Sequence, residues 1–232
     1  MKTTDVNPSV DHTTPAEVTL AYDAIVALGD AGGLAVEAQR MREAFRVRSG
    51  TWGPEDAWFE NRSRAFWDDA LTTQGFADLA RDRITPAQRA VAARFGRAHR
   101  VIFVVEQVDD RSARLLDLWS GAELLVRLLD ETQALTLEHA EGAMDARVTA
   151  GAAGPELFVL PGAYHHPPDA LEPANDVLAA AKERGMTKND ALDALLRMEL
   201  VLRTSSRVKA AFAYRPESLE GARRRPGRTP EL

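Results

Sequence analysis

The chain has 232 residues, of which 45% are hydrophobic and 28% are charged, so it can bury a core of its own. The net charge of -6 argues against a nucleic-acid binder, because affinity for nucleic acids comes mainly from neutralising phosphates. The absence of cysteine excludes disulfides, thiolate metal ligands and a cysteine nucleophile.

The two ends of the chain differ in composition from the rest. Residues 1–14 are polar and contain no apolar signal segment, and residues 217–232 are basic with Pro and Gly, so both are expected to be disordered tails. A single domain is expected over residues 15–216. No stretch approaches the roughly 18 apolar residues of a membrane span. These features predict a cytoplasmic protein with no membrane span.

Helical periodicity dominates the first part of the domain, residues 15–99. Pro15 suits the first turn of a helix, and Thr85 followed by Pro86 is typical of an N-cap and the first helical position. The apolar spacing predicts helices with approximate bounds 15–28, 34–47, 54–71 and 86–99.

The periodicity changes to that of strands at Val101. Short apolar runs separated by turns with Gly or Asp predict strands at 101–105, 113–119, 123–129, 143–149 and 157–164. Helices then return from residue 168 to Arg184 and, after a Thr187–Asp190 capping box, to about Tyr214. We therefore predict an α+β fold. N-terminal helices (15–99) precede a small antiparallel sheet or barrel of about five strands (101–164), and two C-terminal helices (168–214) follow.

No recognised catalytic or phosphate-binding motif is present. The histidine pair His165–His166 lacks further metal ligands at suitable spacing, and neighbours on a strand point to opposite faces. We expect one packed and one solvated histidine, and neither metal nor cofactor. The carboxylate pairs 55–56 and 109–110 fit a helix start and a turn. The mid-helix pair Asp68–Asp69 has no such explanation, so an enzyme with an unrecognised carboxylate site stays open as an alternative.

The segment from residue 52 to residue 67 is the strongest candidate for a binding surface. Three of the four tryptophans fall within it, interleaved with arginines, and Trp and Arg are the residues most enriched at binding hot spots. The candidate partner-binding residues are Trp52, Trp58, Phe59, Arg62, Arg64 and Trp67. The alternative is that the aromatic side chains are core. If the surface is exposed, Arg62→Ala and Arg64→Ala should weaken binding and leave the melting temperature nearly unchanged.

Four sequence strings carry a resemblance: WGPEDAWFE (52–60), RSRAFWDD (62–69), DLWSGAE (117–123) and SRVK (206–209). On these strings the chain resembles an uncharacterised family of myxobacterial and related cytoplasmic proteins, from about residue 34 to residue 216. In such bacteria, proteins without a catalytic signature include regulators of the small Ras-like GTPase that sets cell polarity. The resemblance therefore implies a GTPase as the protein partner.

The function predicted from these features is that of a non-catalytic binding and regulatory protein. It would act through protein–protein contacts, with a small Ras-like GTPase as the candidate partner. The other alternative is an effector that binds cyclic dinucleotides, because a small barrel and the Arg42-x-x-x-Arg46 spacing suggest a PilZ domain. That spacing lies far upstream of the first strand, however, and the second motif of PilZ domains is missing.

Overall fold

The computed structural model of the protein describes residues 12–30, 32–205 and 207–223, with the backbone alone for 220–223. The fold is α+β, as predicted. Two residues expected in the tails are buried in the domain, namely Thr13, whose hydroxyl donates to the Ala153 carbonyl, and Leu219. Residues 217–223, also predicted to be disordered, form part of a 3₁₀ helix. Residues 1–11 and 224–232 of the predicted tails lie outside the described residues.

The N-terminal helices are α1 (Pro15–Asp30), α2 (Ala35–Ser49), α3 (Phe59–Thr72), α4 (Phe76–Ala80) and α5 (Pro86–Phe95). The predicted cap at Thr85 is confirmed, since its hydroxyl accepts from the Gln88 amide and the Gln88 side chain accepts from the Thr85 amide. Helix α3 begins five residues later than predicted. The Asp56 carboxylate accepts from the Gly53 amide at 2.8 Å and holds this stretch in a turn.

The strands are β1 (His99–Val108), β2 (Ser112–Asp117), β3 (Glu123–Arg127), β4 (Met144–Ala150), β5 (Leu157–Val159) and β6 (Tyr164–His165). Their order is β1-β2-β3-β5-β4-β6, and β1 also pairs with β4, so the first five strands close into a barrel. Strand β1 pairs with β4 over His99–Phe103 and with β2 over Phe103–Val108. Its register with β2 shifts between Val105 and Gln107, an irregularity of the kind that bends a strand. The expectation of a purely antiparallel sheet is corrected, because β3 and β5 are parallel.

A helix that was not predicted, α6 (Glu131–Glu138), connects β3 to β4. The Asp130 carboxylate caps it by accepting from the Gln133 amide at 2.7 Å. A five-stranded Greek-key barrel with a helix between its third and fourth strands has the connectivity of an OB-fold. The predicted strand 157–164 is divided into β5 and β6 by a turn around Gly162, and this turn forms part of the site below.

The C-terminal helices are α7 (Leu171–Glu183), α8 (Lys188–Thr204) and the short α9 (Ala210–Ala213), followed by a 3₁₀ helix at Pro216–Arg223. The N-cap predicted at Thr187 is confirmed, since its hydroxyl accepts from the Asp190 amide. The capping box is only partly formed, because the Asp190 carboxylate accepts from the Thr187 hydroxyl rather than from its amide. The predicted helix to Tyr214 ends early instead, because Ser205 is extended and Arg207 has a φ of 67°.

The buried side chains form three clusters: one among α1–α5 and the β5–β6 turn, one between α7, α8 and the 3₁₀ helix, and one inside the barrel. Within the described ranges, no single helix has both the length and the hydropathy of a membrane span. Helices α1 and α2 meet these criteria only as a pair, and the two are bent by 96°.

Candidate functional site

The six predicted partner-binding residues fall into two groups. Trp52, Trp67 and Arg62 are in the interior, with 2%, 6% and 0% of their surfaces exposed. Trp58 and Phe59 are partly buried against the same cluster, and Arg64 is exposed. The segment therefore belongs largely to the core, which was the alternative interpretation, and Arg64 is the member of the set that is free to meet a partner.

The Arg62 guanidinium is completely occupied inside the protein. It pairs with the buried Glu199 carboxylate at 2.6 Å and donates to the carbonyls of Leu196 (2.6 Å) and Ser49 (3.2 Å). Its Nε donates to the Tyr164 hydroxyl at 3.2 Å. The premise that Arg62 is exposed is therefore wrong, and this arginine ties α3 to α8.

A second group of buried charges explains Asp69. Its carboxylate pairs with Arg48 at 2.5 Å and with Arg147 at 3.1 Å. Burial alone would raise the pKa of Asp69, but the two guanidinium groups hold it below its ordinary value. The same group continues through Asp145, which pairs with Arg100 at 2.5 Å. Asp69 is thus a structural anchor between α3 and the barrel.

Asp68 is in a different environment. One of its oxygens, Oδ1, accepts from the Tyr22 hydroxyl at 2.9 Å and from the Gly162 amide at 3.1 Å, whereas Oδ2 has no hydrogen-bond partner among the described residues. Burial raises the pKa of Asp68 to about 7. Only 1% of its surface is exposed, and the adjacent cavity, lined by Arg147 and Gly162 among others, holds about 10 Å³. A substrate has no access to this carboxylate in the structure.

The Asp68 contacts join three elements, α1, α3 and the β5–β6 turn, which are also walls of a cleft of about 460 Å³. We call it the α1–α3–α6 cleft, because α6 lies on its remaining side. Its floor is formed by the apolar side chains Leu129, Leu137, Met144, Val159, Leu160 and Ala163. Its polar rim includes Thr19, Asp23, Asn61, Arg64, Thr136 and His165.

The charged groups at the rim are uncommitted. In the part of the chain that the structure describes, the side chains of Asp23, Asn61 and Arg64 are exposed and form no hydrogen bond or ion pair. The polar groups of α6 differ in this respect. The Gln133 side chain accepts from the Leu129 amide at 2.8 Å and donates to the Val159 carbonyl at 2.9 Å. The α6 wall of the cleft is thus held by internal hydrogen bonds. The α1 wall carries the negative charge of Asp23 and the α3 wall carries the positive charge of Arg64, both unpaired among the described residues.

The histidine pair is divided as predicted in one respect. His166 is buried beside the Tyr214 hydroxyl, 2.9 Å from its Nδ1, and burial lowers its pKa to about 4. His165 lines the cleft and is half-buried rather than solvated, and burial lowers its pKa as well. Over the described ranges no group of three His, Cys, Asp or Glu side chains is arranged to hold a metal ion.

The arginines considered for cyclic-dinucleotide binding are engaged in packing. The Arg42 guanidinium lies 4.7 Å from the ring centre of Phe66, and that of Arg46 lies 4.7 Å from the ring centre of Trp52. Neither arginine lines the α1–α3–α6 cleft. Their placement gives the cyclic-dinucleotide alternative no support.

Gly162, in the β5–β6 turn beside the cleft, has no room for a side chain. A Cβ atom there would lie 2.3 Å from the Arg64 carbonyl oxygen and 2.5 Å from Asp68 Cγ. We expect Gly162→Ala to lower the free energy of unfolding by about 1–3 kcal/mol, because the backbone of α3 must move away. Chemical denaturation measures this. Gly96→Ala is the matched control, since no atom lies within 4 Å of its Cβ, and an equal effect of both variants would contradict the expectation.

Sequence reasoning missed most of this cleft. From the sequence, Asp23 is predicted to lie on the solvent-exposed face of α1, and nothing in the pattern marks it as part of a site. The signal for α6 was present, however, since Asp130 followed three residues later by Gln133 is a capping pattern. No family model, no curated protein and no solved structure matches the chain. The resemblance to a myxobacterial family therefore stays a prediction.

Proposed function

We propose that the chain is a non-catalytic binding protein that acts through protein–protein contacts, and that the α1–α3–α6 cleft receives a segment of the partner. One observation carries the proposal: a cleft of about 460 Å³ combines an apolar floor with uncommitted polar groups at its rim. Sites for small ligands commonly have this size and this combination, in which apolar area supplies affinity and a few polar groups fix orientation, and a side chain of a partner segment can use the same features.

The carboxylates of the interior support binding rather than chemistry. Asp69, Asp145 and Glu199 are each held by arginines, and their pKa values lie below the ordinary range. Asp68 has a raised pKa but is enclosed. An acid–base catalyst needs such a group within hydrogen-bond reach of a substrate. The uncommitted groups of the cleft are suited to recognition instead.

A small Ras-like GTPase stays our prediction for the partner. Within the predicted segment, Arg64 rather than Arg62 is the arginine that can reach another molecule, because Arg62 is buried and fully bonded. An exposed arginine can stabilise the charge that develops on a transferring phosphoryl group, as arginine fingers do. Arg64 is thus the residue through which both the binding and the GTPase proposals are tested.

The test is affinity capture from the native cell with wild type, Arg64→Ala and Arg89→Ala, followed by quantitative mass spectrometry. Arg89 is exposed on α5 and, among the described residues, is unpaired and outside the cleft, so it controls for the loss of one surface charge. We expect one protein to be depleted about tenfold or more by Arg64→Ala and retained by Arg89→Ala. Equal capture by all three would refute the cleft as the contact surface, and a depleted protein other than a GTPase would refute that partner.

A further inference from the structure

We infer that the partner segment bound in the α1–α3–α6 cleft has an apolar side chain between an acidic and a basic group, with the acidic group paired to Arg64 and the basic group to Asp23. This inference rests on the proposed function. It specifies which kinds of residue the partner segment contains, and the size of the cleft alone does not determine these.

The apolar side chain follows from the floor of the cleft. Its accessible apolar surface belongs to Leu129, Pro161 and Ala163, which are partly exposed. The lining is completed by side chains that are buried and carry no polar atom, namely Leu137, Met144, Val159 and Leu160. Filling such a floor with an aliphatic side chain removes apolar surface from water, and a fully buried Leu-sized side chain contributes about 1.5–3 kcal/mol. A polar group there would lose its hydrogen bonds to water without replacement.

The two charges follow from the rim. Asp23 on α1 and Arg64 on α3 have opposite signs, yet they form no ion pair with each other or with any other described side chain. Asp130, the further carboxylate of the lining, caps α6 by accepting from the Gln133 amide and adds a second negative charge to the rim, so a basic group is favoured on that side as well. A segment with only acidic groups would be repelled by Asp23, and one with only basic groups would be repelled by Arg64. A segment with one of each sign complements both.

A peptide segment fits these features better than a free amino acid. In a free amino acid the ammonium and the carboxylate are bonded to the same carbon, so the distance between the two charges is short and fixed. In a peptide, the acidic and basic groups belong to residues on either side of the apolar one and can diverge. The rim is exposed at Asp23, Asn61 and Arg64, which leaves room for the chain to enter and leave.

The inference is tested by titrating the protein with blocked tripeptides and following amide chemical shifts by NMR. The probes are acetyl-Glu-Leu-Lys-amide, acetyl-Lys-Leu-Glu-amide, acetyl-Gln-Leu-Gln-amide and free leucine. We expect one of the charged peptides to bind about three- to tenfold more tightly than the neutral one, with shifts at the cleft. Arg64→Ala and Asp23→Ala should each remove that advantage, whereas Arg89→Ala should retain it.

The inference is overturned if the neutral peptide binds as tightly as both charged ones, if free leucine binds more tightly than any peptide, or if no probe shifts the cleft resonances at millimolar concentration. These failures are separable from failure of the proposed function. If Arg64→Ala still depletes a partner in the capture experiment, the cleft remains the contact surface and only the stated chemistry of the segment is wrong.

Discussion

Replacing Arg62 with methionine should lower the free energy of unfolding by up to about 3–5 kcal/mol, because the buried Glu199 carboxylate then keeps, among the described residues, only Arg203, whose side chain is 42% exposed, as its cation. The two carbonyls of Leu196 and Ser49 lose a donor as well. Urea denaturation measures the change. From the sequence, Arg62→Ala was expected to leave the melting temperature nearly unchanged if Arg62 is exposed, and the burial of Arg62 reverses that expectation.

The controls separate the charge from the packing. The double variant Arg62→Met with Glu199→Leu removes both charges and should recover a large part of the lost stability, since buried ion pairs can often be replaced by apolar residues. Arg64→Met, two residues further along the same helix but exposed, should change stability by less than about 0.5 kcal/mol. A loss below about 1 kcal/mol for Arg62→Met would show that the pair is not buried as described.

Replacing Asp68 with asparagine should stabilise the protein at pH 8 by up to about 4 kcal/mol and have little effect near pH 4. In the folded protein burial raises the pKa of Asp68 from 3.8 to about 7, so the folded state keeps the proton while the unfolded state has lost it. The folded state is therefore stabilised fully by protonated Asp68 below about pH 4, and this stabilisation is lost as the pH rises through 7. Each unit of pKa difference corresponds to about 1.4 kcal/mol.

The measurement is the difference in unfolding free energy between the variant and wild type across pH 4–8. The wild-type curve alone is insufficient, because His166 changes the stability of the protein in the opposite direction. Burial lowers the pKa of His166 to about 4, so the protein loses stability as the pH falls below about 6.5. Asp145 and Arg147, which also act on Asp68, are present in both proteins. A difference that stays constant with pH would contradict the raised pKa.

Local signals account for what the sequence could predict. Thr85 and Thr187 have the side chains of N-caps, and β-branched residues from Val101 onward show the period of a strand. Such features depend on neighbours in the chain. The estimate of about five strands was close to the six observed for the same reason. The parallel contact of β3 with β5 was not predicted, because it consists of one register pair and has no local signal in the sequence.

The candidate site was less accessible to prediction, because its residues acquire their roles from distant partners. Arg62 and Arg64 are two positions apart and have the same charge, yet one is enclosed by Glu199, 137 residues away, and the other is free. Asp68 and Asp69 are neighbours, but of the two only Asp69 forms ion pairs with guanidinium groups in the described structure. Which of two similar neighbours faces inward is decided by tertiary packing, and composition and spacing do not report it.

The pairing of Arg62 with Glu199 and of Arg100 with Asp193 also bears on how the chain is made in the cell. On a ribosome the N-terminal helices and β1 are synthesised well before α8, so these arginines exist for a time without their carboxylates. Desolvating them in that interval would be costly. The helices and the barrel are therefore expected to reach their final packing only after α8 has emerged, so the N-terminal part of the chain waits for α8 instead of folding to completion as it is made.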